Sequence, residues 1–133
     1  MIYLLDTHTM VWALIDSSKL SDNVRDILED PSNQILVSPI SFWEISLKYA
    51  LGKLMLDGIT PDVFPGACLA IDFDILPLDP KTAATLHLLR STHHKDPFDR
   101  LLIWQSISLK IPLISKDTKV AQYVSEGLNL VWD

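Results

Sequence analysis

Five carboxylates stand where chemistry could take place, because each adjoins or opens a predicted helix or strand. They are Asp6, Glu44, Asp96, Asp99 and Asp117. Asp6 ends the first apolar run of the chain, and Asp117 follows another apolar run near the C-terminus. In an α/β protein the carboxyl ends of parallel strands meet in one crevice, and ligands bind there. We therefore expect these side chains to lie near one another.

Such a group of acids predicts a bound cation. Carboxylates that converge in a cleft of low dielectric repel one another, so they stay ionised together only when a cation neutralises them. An all-oxygen ligand set favours Mg²⁺ or Mn²⁺ over Zn²⁺. The only cysteine, Cys68, leaves no thiolate pair for a zinc ribbon, and the four histidines lack metal-ligand spacing with it.

Each acid also has an ordinary structural explanation when it is taken singly. Asp6, Asp96 and Asp117 could cap the helices that follow them, since aspartate is a favoured N-cap. Glu44 could belong to a solvated helix face that it shares with Ser41, three residues earlier. Capping does not account for the placement of these acids at one edge of the presumed sheet. The joint pattern therefore favours a shared site.

Two basic residues lie close to the acids in sequence, and their roles stay open. Lys48 and Arg100 could each steady a phosphate beside a metal, or could pair with a neighbouring carboxylate as a structural contact. His93 and His94 are expected to end a helix, where positive charge suits the helix dipole. We assign no histidine to the site.

The length of the chain is that of one globular domain spanning residues 1–133. The net charge of -6 is unusual for a protein that meets nucleic acid. Setting the five acids aside leaves 12 of the 17 acidic residues against 11 Lys and Arg, so the rest of the surface is nearly neutral. No apolar run approaches the roughly 20 residues of a membrane span. The chain also begins directly with a strand, and we expect a cytoplasmic protein without a membrane partner.

Hydrophobic periodicity predicts strands and helices that alternate along the whole chain. Strands are predicted at 2–5, 34–37, 74–78, 111–115 and 128–132. Helices are predicted at 7–15, 22–28, from Ser38-Pro39 onward, 81–92, 98–109 and 118–126, with two short helices and a loop in the glycine- and proline-rich middle. Alternation of this kind predicts a three-layer α/β/α fold, with a parallel sheet, helices on both faces and right-handed crossovers.

Four segments together resemble the PIN-domain nucleases, and most closely their VapC-type toxin branch. They are Asp6-Thr7 after the first strand, Ser41-x-x-Glu44 on a helix, Asp-Pro-Phe-Asp-Arg-Leu-Leu-Ile at 96–103, and Ser115-Lys116-Asp117. The match spans the full length in the right order, and Asp-Pro-Phe-Asp-Arg is its most specific part. Ser115 stands where many relatives have threonine, a change that keeps the hydroxyl.

The resemblance implies a central parallel sheet of about five strands in the order 3-2-1-4-5. It also implies Mg²⁺- or Mn²⁺-dependent cleavage of RNA by an endoribonuclease. The metal ligands of the family map onto Asp6, Glu44 and Asp99, with Asp117 as a more variable fourth acid and Asp96 as a close catalytic neighbour. Four further residues would support them, namely Thr7, Ser41, Arg100 and Ser115.

The same resemblance implies partners. It suggests the toxin of a type II toxin-antitoxin pair, acting on RNA as a homodimer. A cognate VapB-like antitoxin would neutralise it by laying a C-terminal segment over the acidic cleft.

Two other functions compete with this one. A haloacid-dehalogenase-like phosphatase also has an aspartate after its first strand, but it needs a second aspartate two residues later, where this chain has His8. A non-catalytic RNA- or protein-binding module could keep the fold without cutting. The complete acid set argues against a decayed site, so we favour the nuclease.

Overall fold

Short strands and helices alternate in a computed structural model that describes residues 1–90 and 95–133. The strands are β1 (Ile2–Leu5), β2 (Gln34–Val37), β3 (Asp74–Ile75), β4 (Leu113–Ile114) and β5 (Leu130–Val131). The α-helices within the described ranges are α1 (Thr7–Ile15), α2 (Asp22–Glu29), α3 (Pro39–Ala50), α4 (Phe64–Ala70), α5 (Pro80–Ala84) and α6 (Pro97–Leu109). Turns of 3₁₀ helix cover Ser17–Lys19, Pro61–Val63, Leu86–Leu88 and Val120–Glu126.

The strands form one parallel sheet in the order β3-β2-β1-β4-β5. In the centre, Leu4 of β1 pairs with Leu36 of β2 on one side and with Leu113 of β4 on the other. The predicted fold class and strand order are thus confirmed. The chain leaves β1 toward β2 but later returns to its other side with β4, so β1 and β4 flank the switch point, where a crevice forms at their carboxyl ends.

Both faces of the sheet are covered, which makes the fold three-layered. Tyr3 and Leu5 point to a core that α1, α2, α3 and α4 complete with Met10, Val24, Ile45 and Phe64 among others. Leu4 points to the opposite core, where Ile103 of α6 and Tyr123 lie. Successive side chains of a strand face opposite sides, so strands buried on both faces read as continuous apolar runs.

A third, smaller cluster joins the beginnings of α3 and α6. Ile40 of α3 packs with Phe98 and Leu102 of α6, and all three side chains are buried. Both helices start with proline in the first turn, after the N-caps Ser38 and Asp96. Proline suits this position because its missing N–H would have no helical partner there. The cluster brings the first turns of two acid-bearing helices together.

Three predicted strands are shorter in the structure. Strand 74–78 reduces to Asp74–Ile75, and 111–115 and 128–132 reduce to two-residue strands. After β3 the Leu76 N–H still donates to the Val37 carbonyl at 2.8 Å. Pro77 has no N–H to continue the ladder, and the chain turns there toward α5.

Two predicted helices also differ. Helix 81–92 begins one residue earlier and becomes irregular at Thr85, whose hydroxyl donates to the Lys81 carbonyl at 2.7 Å and competes with the helical pattern. Its predicted end, including His93 and His94, lies outside the described residues. Helix 118–126 is instead a 3₁₀ helix, ended by Gly127 at a φ of 102°. Across both described ranges, no helix is long and apolar enough to cross a membrane.

Candidate active site

Asp6 follows β1 and lies at the switch point. Its backbone N–H donates to the Ile114 carbonyl of β4 at 3.1 Å, which ties this residue to the neighbouring strand. Its carboxylate caps α1 by accepting a hydrogen bond from the Thr9 N–H at 2.8 Å. Asp6 is therefore both a helix cap and a buried acid at the expected edge.

The environment of Asp6 raises the pKa of its carboxyl group overall, so it opposes ionisation. Burial raises the pKa of its carboxyl group, because the charged form loses hydration. Hydrogen bonds from Ser115 and Thr9 and the charge of His8 act in the opposite direction. Ser115 also accepts a hydrogen bond from the Asp117 N–H at 3.1 Å. The Ser115 hydroxyl thus connects the loops after β1 and β4.

Glu44 is a buried carboxylate on α3, only 2% exposed. Its Oε2 is paired with the ammonium group of Lys48, one helical turn later. Its Oε1 is buried and accepts no hydrogen bond from any part of the chain that the structure describes. A buried carboxylate oxygen without a donor is costly, so this atom is suited to an additional positive ligand.

A hydroxyl pair connects the helices that carry Asp6 and Glu44. The Thr7 hydroxyl donates to the Ser41 hydroxyl at 3.0 Å, and both side chains are buried. Thr7 is the first residue of α1 and Ser41 lies one turn before Glu44 on α3. The contact fixes the two helices beside each other at the site.

Asp96 and Asp99 lie at the beginning of α6. Asp96 Oδ1 accepts hydrogen bonds from the Phe98 N–H at 2.9 Å and the Asp99 N–H at 3.0 Å, so it caps the helix. After β4, the Oδ1 of Asp117 accepts from the Lys119 N–H at 2.9 Å. The capping explanation therefore holds for Asp96. Asp117 instead accepts a hydrogen bond within the turn that precedes the 3₁₀ helix, whose N-cap is Lys119 and has no side-chain cap.

Asp99 shows that the acids gather in one place. Its pKa is raised to about 7, first by burial and then by the negative charges of Asp96, Glu44, Asp6 and Asp117. Repulsion of this kind places each of the four other carboxylates within electrostatic range of Asp99. The fold thus brings Asp6 near Asp99, although 93 positions separate the two residues in the sequence.

Arg100, expected to support the site, is engaged in the core. Its guanidinium donates to the Tyr123 hydroxyl at 2.9 Å and to the Leu89 carbonyl at 3.1 Å, and it lies over the Tyr123 ring. These contacts hold α6 against the 3₁₀ helix Val120–Glu126. They are contacts to a hydroxyl, a carbonyl and an aromatic ring, so they differ from both the phosphate contact and the carboxylate pair that the sequence left open for Arg100.

Sequence reasoning missed His8 and Trp12, which stand beside the acids on α1. Their rings lie 5.7 Å apart, and they line a cavity of about 300 Å³ together with Glu44 and Lys48. The same two rings border a groove with Asp6 and Asp117 on the other side. The available signal was their spacing, since His8 follows Asp6 by two residues and Trp12 lies one helical turn later.

The residue types at this edge fit a divalent cation. The donors are carboxylate oxygens, the set that Mg²⁺ and Mn²⁺ prefer, and Glu44 presents a buried oxygen without a partner among the described residues. As they stand, no three Asp, Glu, His or Cys side chains in residues 1–90 and 95–133 are close enough to hold an ion. Binding of an ion to three of them would therefore require these side chains to move closer together.

An all-parallel sheet with acids gathered at its switch point defines an α/β protein with an acidic site. The chain belongs to the PIN domain family of nucleases, whose model matches residues 3–125. The family assignment made from the sequence is confirmed. No curated protein matches the sequence significantly.

Solved structures with the same fold cover nearly the whole chain. The VapBC2 structure from Rickettsia felis, bound to a DNA fragment from its promoter, is 19% identical, covers 100% of both chains and has a TM-score of 0.67. VapBC-1 from nontypeable Haemophilus influenzae is 19% identical over 98% of this chain and 97% of that chain, with a TM-score of 0.66. FitAcB from Neisseria gonorrhoeae is 25% identical over 98% and 96%, with a TM-score of 0.62.

Proposed function

We propose that this protein is a metal-dependent endoribonuclease that hydrolyses RNA phosphodiester bonds with Mg²⁺ or Mn²⁺. The observation that carries the proposal is the raised pKa of Asp99. The negative charges of four other acids contribute to it, and these acids include residues from three further segments of the chain. Such an arrangement is costly for the fold unless a cation compensates it. Membership of the PIN domain family supports the nuclease class.

Asp6, Glu44 and Asp99 would hold the cation, and Asp117 would complete its ligands. When bound, such an ion polarises a phosphate and lowers the pKa of a bound water so that it can attack. Ser115 would orient Asp6 through its hydroxyl, and the Thr7–Ser41 hydrogen bond would keep α1 and α3 in place. Asp96 would act mainly by fixing the first turn of α6 around Asp99.

We further propose that the protein is the toxin of a VapBC-type pair, a homodimer with a VapB-like antitoxin as its cognate partner. The similar folds in the VapBC and FitAcB structures support this. So does an apolar stripe along α3 and its C-cap residue, where Trp43, Leu47 and Leu51 are 61%, 40% and 59% exposed. Apolar side chains at this spacing form one helix face, and such faces commonly meet another protein chain.

An RNA cleavage assay tests the enzymatic proposal. The purified protein should cleave single-stranded RNA with Mg²⁺ or Mn²⁺ and not with EDTA, and Asp6→Asn should lower the rate by roughly 100-fold or more. Asp57→Asn, which removes an exposed acid outside the site, serves as the matched control. Cleavage that is equal in all samples would contradict metal catalysis. RNA binding without cleavage in any sample would favour a non-catalytic binding module.

A further inference from the structure

Lys48 holds a position in the site that the proposed mechanism does not use. It lies on α3 four residues after Glu44, and its ammonium group is paired with Glu44 Oε2. The Lys48 side chain is 35% exposed, whereas that of Glu44 is 3% exposed. One partner of this ion pair is thus enclosed and the other reaches solvent.

The ion pair competes with a cation for the same carboxylate. Glu44 Oε2 is occupied by the ammonium group, and Oε1 has no partner among the described residues. A divalent ion on Glu44 would bring further positive charge against Lys48 at short range, where the local dielectric is low. A divalent ion on Oε1 would therefore weaken the contact of Lys48 with Oε2.

Lys48 has a place to move to. It lines the cavity of about 300 Å³ that Glu44, His8 and Trp12 also border, and Lys19 lies at the same cavity. A lysine ammonium is a compact charge on a flexible four-carbon stem, so it can turn from one partner to another without moving the helix. An ammonium released into this cavity would be a donor for a phosphate placed next to the acids.

We propose that Lys48 is an exchangeable counter-ion, which neutralises Glu44 in the metal-free protein and passes to a phosphate of single-stranded RNA when a divalent cation binds Glu44. The first half of this exchange stands on the ion pair itself. The second half rests on the proposed ribonuclease function. Lys48 is thereby a substrate-positioning residue, distinct from a permanent structural salt bridge.

Cation binding without RNA tests the first half. In Lys48→Met the melting temperature in EDTA should fall, because Glu44 loses its counter-ion, and saturating Mn²⁺ should remove most of that loss. Mn²⁺ should bind Lys48→Met roughly tenfold more tightly than wild type, because one competing charge is gone. Lys81→Met, an exposed lysine on α5, is the matched control and should behave as wild type.

A permanent salt bridge predicts a different result. The melting temperature of Lys48→Met would then lie below that of wild type by the same amount in EDTA and in Mn²⁺, and its Mn²⁺ affinity would not rise. This outcome overturns the exchange. The double variant Glu44→Gln/Lys48→Met serves if the single variant does not fold. Relative to Glu44→Gln alone, it should show no gain in Mn²⁺ affinity, and a tenfold gain there would contradict competition at Glu44.

The salt dependence of RNA binding tests the second half. With Ca²⁺ as the divalent ion, Lys48→Met should reduce the slope of log affinity against log salt by about 1, because one phosphate contact is lost. In EDTA the slope should not change, and Lys81→Met should leave it unchanged in both buffers. Equal slopes for wild type and Lys48→Met in Ca²⁺ would refute the transfer to phosphate.

Failure of wild type to cleave RNA would instead count against the proposed function, while the Mn²⁺ measurements still decide the exchange at Glu44.

Discussion

Asp99 is the acid of the site whose pKa responds to both burial and the neighbouring carboxylates. Burial and the neighbouring acids both disfavour its charged form, which raises its pKa to about 7 from an ordinary 3.8. A carboxyl group with this pKa is half protonated near neutral pH in the absence of a cation. A divalent ion would displace that proton, so cation affinity should rise with pH through this range.

The raised pKa of Asp99 predicts how stability depends on pH in EDTA. The unfolded chain ionises this residue near pH 4 and the folded chain only near pH 7. The contribution of Asp99 to the free energy of unfolding is therefore fully present below pH 4 and is lost as pH rises to about 7. In Asp99→Asn that contribution is absent, and its melting temperature should fall less than that of wild type between pH 5 and pH 8.

Thermal unfolding of wild type, Asp99→Asn and the exposed-acid control Asp57→Asn across this pH range measures the effect. Asp57→Asn should follow the wild-type profile, since it lies in an exposed loop. Parallel profiles for wild type and Asp99→Asn would show that Asp99 is not buried among like charges.

Ser115 connects two of the acids, and its hydroxyl carries a separate prediction. Ser115→Ala removes the hydrogen bond to Asp6 and the acceptor of the Asp117 N–H. We expect roughly tenfold weaker Mn²⁺ binding and a loss of about 1 kcal/mol in unfolding free energy. Ser115→Thr keeps the hydroxyl and should retain Mn²⁺ affinity. Mn²⁺ titration and urea unfolding check both, and equal Mn²⁺ affinity for Ser115→Ala and wild type would contradict an orienting role.

At the scale of elements, the first turn of α6 decides between capping and ligation for Asp96. Its Oδ1 accepts from two backbone N–H groups, so Asp96→Ala should cost about 1 kcal/mol of unfolding free energy. Asp96→Asn keeps a capping oxygen and should be nearly as stable as wild type. Because we assign Asp96 to positioning, its RNA cleavage should fall far less than that of Asp99→Asn.

Cleavage rates and urea unfolding of the two Asp96 variants separate these roles. If Asp96→Asn is as inactive as Asp99→Asn while remaining stable, then Asp96 contributes its charge to catalysis directly.

The elements with strong end signals were predictable from sequence, and those set by tertiary contacts were not. Ser38-Pro39 and Asp96-Pro97 marked the starts of α3 and α6 correctly, since caps and first-turn prolines are local features. The shortening of β3 and the break at Thr85 depend on where hydrogen bonds are satisfied in three dimensions. The pairing of Lys48 with Glu44 was one of two alternatives that spacing alone left open.

At the scale of the whole molecule, sheet order converts distant segments into one site. The switch point between β1 and β4 collects Asp6 and Asp117, and the contact of α3 with α6 adds Glu44 and Asp99. Alternating elements predicted a parallel sheet, but only the family resemblance supplied its strand order. Periodicity cannot give that order, because it reports which face of a strand is buried and not which strand lies beside it.

The most direct test of the central claim is a crystal structure of the protein with Mn²⁺, using anomalous scattering to locate the ion. The account predicts an anomalous peak about 2 Å from carboxylate oxygens of Asp6, Glu44 and Asp99, with these side chains drawn together around it. Mn²⁺ peaks at saturating concentration that lie only elsewhere, with the three carboxylates still apart, would contradict it.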